Sequence, residues 1–267
     1  MTFQPLVPFG GYAGWLFIDR TADTQRAAFN ESQPVKRATE VFRERIGSVL
    51  TAKDLVADRE LLSVALGAFG LDDDIGNKFF IQKILEDGTI SPDALANRLS
   101  DTRYADFSRA FGFGDVSPPN TVLNFFVDDI IDRYEARQFE RAVGEQNNDM
   151  RLALNLPTAI ADVVDGARSN DGQWFGMMGN APLRRVFDTA LGFPSSFAAL
   201  DLDQQLEQFK ERSQSVFGTS DMAELANEEN QEKLIRLFLL RSEANASSAS
   251  SSASVALNLL QQITAGA

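Results

Sequence analysis

From residue 34 onward, apolar residues recur at three- and four-residue steps, the spacing that places them on one face of an α-helix. The first such stripe contains Val35, Ala38, Phe42, Ile46 and Val49. Similar stripes follow over residues 61–69, 75–85, 122–143, 183–193, 206–217 and 234–240. The pattern predicts an all-α protein of stacked helical hairpins, arranged as two lobes joined by a long helix.

Three of these stripes end on the same four-residue pattern, alanine–apolar–glycine–apolar, at residues 68–71, 110–113 and 190–193. Glycine adopts the left-handed conformation that closes a helix at its C-terminus, because it has no Cβ. The apolar residue that follows folds back onto the last helical turn. The repeated pattern therefore predicts three helices that end in the same way.

Composition and periodicity divide the chain into five segments. They are an irregular N-terminal segment (1–33), a first helical lobe (34–118), a long connecting helix (119–156), a second helical lobe (157–242), and a Ser/Ala linker with a short apolar helix (243–267). Glycine and proline punctuate the first segment, which favours a short strand or an extended chain. Pro157 marks the end of the connecting helix, since proline disrupts helix interiors. Residues 246–253 are almost entirely serine and alanine, a composition typical of flexible linkers.

The composition of the chain disfavours or excludes several classes of ligand and of catalytic site. The 267 residues carry a net charge of −13, which disfavours binding to nucleic acid or to an anionic membrane surface. The chain contains no histidine and no cysteine, which excludes zinc sites and catalytic machinery built on those residues. We expect no cofactor and no enzymatic activity. No apolar stretch is long enough to cross a bilayer, and the first 19 residues lack the basic residues of a cleaved signal peptide.

Two groups of carboxylates are the only candidates for metal binding or acid–base catalysis. Residues 72–74 are three consecutive aspartates, which we interpret as the N-terminus of a helix, where negative charge is stabilised. The second group lies on the polar face of the long helix and comprises Asp128, Asp129, Asp132, Glu135 and Glu140. Arginines alternate with these carboxylates at three- and four-residue spacing, which indicates a solvated face with weak ion pairs.

Three apolar or aromatic stretches are candidate contact surfaces for protein partners. One is the N-terminal island 12–18, one is the uncharged run 174–179, and one is the apolar C-terminal segment 255–263. The run 174–179 fits either the lid of a core or an exposed contact surface, and the core interpretation is favoured because such residues are more often buried. The C-terminal segment fits docking on its own domain or on a neighbour. The candidate partner-binding residues are Tyr12, Trp15, Phe17, Trp174, Phe175, Met177, Leu257 and Leu260.

Several phrases of the sequence resemble one bacterial family. They lie at residues 58–62, 68–75, 96–104, 110–114 and 134–140. The family is the domain of unknown function 1217 family, found mainly in alphaproteobacteria. Its repeated units end in the alanine–apolar–glycine–apolar type of helix end described above, called a glycine stop below. A Leu-x-Asp-x-Arg-Tyr phrase follows the glycine stop, as at Leu99 to Tyr104 here. The resemblance covers most of residues 34–150 and is looser over 151–242.

The resemblance implies a function but no catalytic residue. Members of the family are associated with flagellar genes, so we expect a non-enzymatic structural or assembly protein of the bacterial flagellum. Such a protein would act through helix-mediated contacts with flagellar protein partners, either in the cytoplasm or associated with the flagellum. The alternatives are a cytoplasmic regulatory or adaptor module unrelated to motility and, least favoured, a metal-binding enzyme that uses the carboxylates.

Overall fold

A computed structural model describes the backbone of residues 3–265 and the side chains of residues 3–247. Within these residues the chain is helical and contains no β-strand, which confirms the all-α prediction. The helices are α1 (Gly11–Asn30), α2 (Gln33–Arg45), α3 (Ala52–Ala57), α4 (Arg59–Gly67), α5 (Lys78–Asp87), α6 (Leu95–Arg98), α7 (Arg103–Phe111), α8 (Asn124–Gly144), α9 (Asn148–Gly166), α10 (Asn170–Gly179), α11 (Ala181–Leu191), α12 (Leu202–Phe217), α13 (Met222–Leu225) and α14 (Glu228–Ala265). Short 3₁₀ turns lie at Ile46–Ser48, Asp72–Gly76, Asn120–Val122 and Ser195–Ala199.

The N-terminal lobe is built around a core formed by α2 to α5, α7 and the first half of α8. Phenylalanines dominate its centre. Phe111 is fully buried and meets Phe107, Phe113 and Phe126 with ring centroids 5.0 to 5.9 Å apart. Aromatic side chains remove large apolar areas from water, so a few of them suffice to hold short helices together.

The C-terminal lobe has a separate core formed by α1, the second half of α8 and α9 to α14. Trp174 lies at its centre and packs on Phe187 and Phe209. The indole N–H of Trp174 donates a hydrogen bond of 2.9 Å to the carbonyl of Ser220, so this buried polar group is satisfied. Helix α8 joins the lobes, since Ile130 lies in the first core and Phe139 in the second.

The three predicted helix ends are confirmed. Gly70, Gly112 and Gly192 have φ values of +66°, +71° and +75°, all in the left-handed region. After the last of them, the N–H of Phe193 donates to the carbonyl of Asp188 at 2.9 Å, which is the six-to-one bond of a Schellman motif. The repeated sequence pattern therefore marks a repeated backbone geometry.

The N-terminal segment is not irregular, because most of it forms α1. Trp15, Ile18 and Ala22 are buried at helical spacing, and Trp15 and Ile18 lie in the core of the C-terminal lobe. Glycine is needed at position 14, where a Cβ would lie 2.0 Å from the carbonyl oxygen of Phe9. The glycines that suggested an extended chain thus allow the backbone to pack closely against its neighbours.

The connecting helix is also different from the prediction. Helix α8 ends at Gly144, and α9 begins after Asn147, whose side chain accepts hydrogen bonds from the N–H groups of Asp149 and Met150. Pro157 lies inside α9 and does not form a boundary. Pro157 and Thr158 are exposed to solvent, while Leu156 before them and Ala159 and Ile160 after them are buried. The packing of the apolar face of α9 therefore outweighs the hydrogen bond that proline removes.

The Ser/Ala-rich stretch is not a separate linker in this structure. Helix α14 runs from Glu228 to Ala265 without interruption and includes residues 246–253. Alanine has the highest helix propensity, and a helix that is already formed extends through such a sequence at low cost. Leu257 and Leu260, the predicted C-terminal contact residues, lie outside the residues whose side chains the structure describes.

Candidate functional site

A polar cleft of about 350 Å³ lies where the two lobes meet. The N-terminal lobe, α8 and the C-terminal lobe each contribute to its walls. The charged and amide residues that line it are Asp72, Asp73, Arg103, Arg137, Glu140, Arg141, Arg151, Asn155 and Asn180. Four guanidinium groups in one cleft are notable in a chain with only 25 basic residues and a net charge of −13.

Glu140 lines this cleft and is buried. The sequence analysis placed it on a solvated helix face, and that prediction is wrong for Glu140. It is only 4% exposed, and its Oε2 accepts hydrogen bonds of 3.0 Å from both Arg137 and Asn155. Burial raises the pKa of Glu140, and the charges of Arg137, Arg26 and Arg151 oppose that shift. The correction has a simple cause: α9 packs over the last turns of α8 and covers Glu140 with Asn155.

The three other arginines of the cleft each have a carboxylate partner. Arg103 binds both oxygens of Asp101 and also donates to the carbonyl of Gly70. Arg137 pairs with Glu140 at 3.0 Å, as just described. Arg141 pairs with Asp72, also at 3.0 Å. These three cations are therefore neutralised within the structure.

Arg151 differs from them because its guanidinium contacts no carboxylate. Its Nε and one terminal nitrogen donate to the Asn148 side-chain oxygen at 3.0 and 2.8 Å, and no ion pair within 4.0 Å involves it among the described side chains. Burial lowers the pKa of Arg151; Glu140 opposes this, while Arg103, Arg137 and Arg185 add to it. A positive charge at this position is thus not fully compensated by the protein.

The aspartates at residues 72–74 form a 3₁₀ turn and do not open α5, which begins at Lys78. Two of them bind the protein itself. Asp72 accepts from Gln138 and Arg141, and Asp74 accepts from the hydroxyl of Tyr104 at 2.5 Å. Burial and this hydrogen bond raise the pKa of Tyr104 to about 12. Within the described part of the chain, no group of three or more acidic residues is arranged to hold a metal ion.

A second surface, at the end of the N-terminal lobe, is apolar and exposed. It follows the connection 112–123, which is fixed at both ends by hydrogen bonds. The Asp115 carboxylate accepts from the N–H groups of Thr89 and Ile90, and the Thr121 hydroxyl donates to the carbonyl of Val49. The exposed apolar residues on this connection and beside its anchors are Leu50, Ile90, Val116, Val122, Leu123 and Phe125. We call these six residues the apolar end surface.

The structure places the predicted contact residues mainly in the C-terminal core. Trp15, Trp174 and Met177 are buried and are not on a contact surface. The burial of Trp174 and Met177 supports the core interpretation of the run 174–179. Tyr12 and Phe17 are half-buried against the same core, and these two residues keep part of their rings accessible.

Phe175 is the exception among the described candidates, with 39% of its surface exposed. The apolar end surface was missed by sequence reasoning, which assigned residues 122–143 to one apolar helix face, whereas Val122 and Leu123 precede α8 and Phe125 lies on its exposed side. None of the helices in the described region combines the length and hydropathy that a bilayer span needs.

Comparison with known proteins identifies the family. The model of a family described as a protein of unknown function (DUF1217) matches residues 68–230. The chain belongs to this family. The match includes all three glycine helix ends and every residue that lines the interlobe cleft, whereas Leu50 of the apolar end surface lies before it. The family that the sequence resemblance predicted is therefore confirmed.

One solved structure has the same fold. It is the X-ray crystal structure of a structural genomics target protein from Agrobacterium tumefaciens, with a TM-score of 0.71 and 26% sequence identity. The alignment covers 90% of this chain and 98% of the Agrobacterium chain, so the likeness extends over both lobes. A comparison with the curated proteins finds no significant match.

Proposed function

We propose that this member of the DUF1217 family is a non-enzymatic structural or assembly protein associated with the bacterial flagellum. It acts by binding flagellar protein partners through surfaces presented by its helices and their connections. The observation that carries the proposal is the apolar end surface. Ile90 and Phe125 are 76% and 71% exposed, and large apolar side chains gathered on a surface are typical of protein–protein contacts.

The apolar end surface is suited to a contact because it is held in place. Asp115 fixes the backbone at Thr89 and Ile90, and Thr121 fixes the other side of the connection to Val49. A surface that is already ordered loses less conformational entropy on binding than a flexible loop. The flagellar part of the proposal comes from the family resemblance, and the nature of the contact comes from these residues.

Swimming in soft agar tests both parts. A strain in which the gene is cleanly deleted is complemented with the wild-type gene or with the double variant Ile90→Ser, Phe125→Ser. We expect the deletion to reduce swimming, the wild-type gene to restore it, and the double variant to fail. Both side chains are exposed, so the double variant is expected to fold with little loss of stability, which circular dichroism of the purified protein checks.

Phe79→Ser is the matched control. Phe79 is 85% exposed and lies at the first turn of α5, at the opposite end of that helix from Ile90. This variant makes the same kind of change away from the apolar end surface, and we expect it to restore swimming. Normal swimming of the deletion strain would contradict the flagellar role. Full complementation by the double variant would contradict the assignment of the contact.

A further inference from the structure

We propose that the interlobe cleft is a binding site for a phosphate group, with Arg151 as its principal ligand. The site is distinct from the apolar end surface and does not depend on the flagellar assignment. Its ligand is either inorganic phosphate or a small phosphate ester, which share the same recognition chemistry.

The first argument is that Arg151, unlike the three other arginines of the cleft, has no carboxylate partner among the described side chains. Arg103, Arg137 and Arg141 are paired with carboxylates at 2.7 to 3.0 Å, and Arg151 has only the neutral Asn148 oxygen as acceptor. A half-buried charge without a counterion is costly, because water is partly excluded and no opposite charge replaces it. A charged group with a perturbed pKa in a cleft is a candidate ligand-binding residue, because such groups cluster at functional sites.

The second argument concerns the charge of the ligand. Arg103, Arg137 and Arg185 all act on Arg151 as like charges, and Glu140 is the carboxylate that opposes them. A ligand carrying close to two negative charges stabilises this arrangement better than a single carboxylate does. Phosphate has this charge near neutral pH and offers several oxygens to the planar donor fork of arginine.

The third argument is the size and composition of the cleft. Its volume of about 350 Å³ lies at the lower end of the range for small-molecule sites. The cleft is also lined by Asn155 and Asn180, whose amides are suited to binding the oxygens of an ester. The glycine at position 144 leaves room for the Arg151 side chain. A Cβ at this position would lie 2.5 Å from Cδ of Arg151 and would displace that side chain.

Binding at this site has a structural consequence. Gly70 and Arg103 belong to the N-terminal lobe, Arg137 lies on α8, and Arg151 and Asn180 belong to the C-terminal lobe. A phosphate bound by Arg151 is also attracted by the positive charges of Arg103 and Arg137. Residues on both sides of the cleft therefore interact with one negatively charged group. Phosphate binding therefore stabilises the relative position of the two lobes.

Thermal unfolding of the full chain tests the proposal, with inorganic phosphate and glycerol 3-phosphate as probes and chloride at the same ionic strength as reference. At a probe concentration of about 100 times its Kd, we expect the Tm of the wild type to rise by roughly 5–10 °C. Arg151→Gln should abolish that rise. With both probes at one and the same concentration, a larger rise in Tm with the ester than with phosphate identifies an organic phosphate, and equal rises identify free phosphate.

The ligand-free Tm of Arg151→Gln separates a binding role from a structural one. Because Arg151 is an uncompensated cation among like charges, its removal should leave the ligand-free Tm unchanged or raise it. Arg168→Gln is the control, since Arg168 is an exposed arginine outside the cleft, and it should respond to phosphate as the wild type does.

Three results would overturn the proposal. The first is a wild type whose Tm neither probe raises above the chloride reference. The second is an equal phosphate response in Arg151→Gln, which would place the binding elsewhere. The third is a ligand-free Tm of Arg151→Gln well below that of wild type, which would make Arg151 a structural contact.

Discussion

The two lobes bury their apolar residues in different ways. The C-terminal lobe draws on both ends of the chain, because α1 packs against α9 and α14. The N-terminal lobe is built from the continuous stretch 35–134. The three most exposed large apolar residues of the described chain, Phe79, Ile90 and Phe125, all belong to the N-terminal lobe.

This difference shows how a helical protein keeps an apolar surface available. In the C-terminal lobe, long helices and the returning α1 cover the core, and the most exposed of its described large apolar side chains, Leu6, is 59% exposed. The N-terminal lobe consists of short helices and long connections, which leave apolar residues outside the core. We therefore assign core stability mainly to one lobe and partner contact mainly to the other.

The largest effects should come from matched core truncations. Phe111→Ala in the N-terminal lobe and Phe187→Ala in the C-terminal lobe each remove a fully buried ring, and each should lower the free energy of unfolding by about 3–5 kcal/mol. Trp15 and Trp174 both lie in the C-terminal lobe, so tryptophan fluorescence reports on that lobe alone. Because α8 belongs to both cores, Phe111→Ala should shift the urea transition seen by fluorescence as much as the one seen by circular dichroism. A fluorescence transition that Phe111→Ala does not move would show that the lobes unfold independently.

The next largest effect should come from alanine substitutions of glycines that end helices. Gly218→Ala places a side chain at φ +80° with no neighbouring atom within 4 Å, so it should cost only the conformational strain, about 1–2 kcal/mol. Gly112→Ala, in the N-terminal lobe, adds a contact of 2.8 Å with Val116 and one of 3.0 Å with Asn120. We expect the loss of unfolding free energy to be larger for Gly112→Ala. Equal losses in urea unfolding would show that the connection after α7 adjusts freely.

A smaller effect should follow from loosening the apolar end surface. Asp115→Asn removes the charge that binds the N–H groups of Thr89 and Ile90, which should cost about 1 kcal/mol. Asp93→Asn is the control, because Asp93 is exposed and its carboxylate has no hydrogen bond or ion pair with any side chain or backbone group that the structure describes. The unfolding free energy of this variant should lie within about 0.5 kcal/mol of wild type. If both variants unfold at the same urea concentration, Asp115 does not hold the surface.

The smallest effect is a pH dependence at the boundary between the lobes. Burial raises the pKa of Asp106, with Asp162 of the facing lobe contributing and Arg109 opposing. The folded state therefore binds this proton more tightly than the unfolded state, and the contribution of Asp106 to stability is lost as pH rises through its folded pKa. The free energy of unfolding of wild type, relative to Asp106→Asn, should fall as pH rises from about 4 and become constant above that pKa. A difference that is independent of pH, measured by urea unfolding, would contradict the raised pKa.

Local signals in the sequence were sufficient for much of the fold. The period of the apolar residues predicted the helices, and the three glycine stops are local devices that need no distant contact. The N-terminal helix was missed for the opposite reason. Gly14 is read as a helix breaker in isolation, and only the nearby carbonyl of Phe9 shows that a glycine is required there.

The candidate site was less accessible to sequence reasoning. Arg137 and Glu140 have the spacing of an ordinary surface ion pair, and nothing local distinguishes this pair from Arg133 and Asp129. The difference lies in the carboxylates: Asn155 of α9 covers Glu140, whose side chain is 5% exposed, whereas the side chain of Asp129 is 55% exposed. Burial is a property of the packed helices and has no signature within a single helix.

The amino-acid sequence by itself determined the helical class, the positions of the three glycine stops and the absence of histidine and cysteine chemistry, because all three depend on local geometry or on composition. The tertiary structure alone decided that α1 completes the C-terminal lobe, that Pro157 is accommodated inside α9, and that Glu140 and Arg151 face a shared cleft. These outcomes depend on contacts between residues far apart in the chain. The energy of such contacts outweighs local preferences that favour a different arrangement.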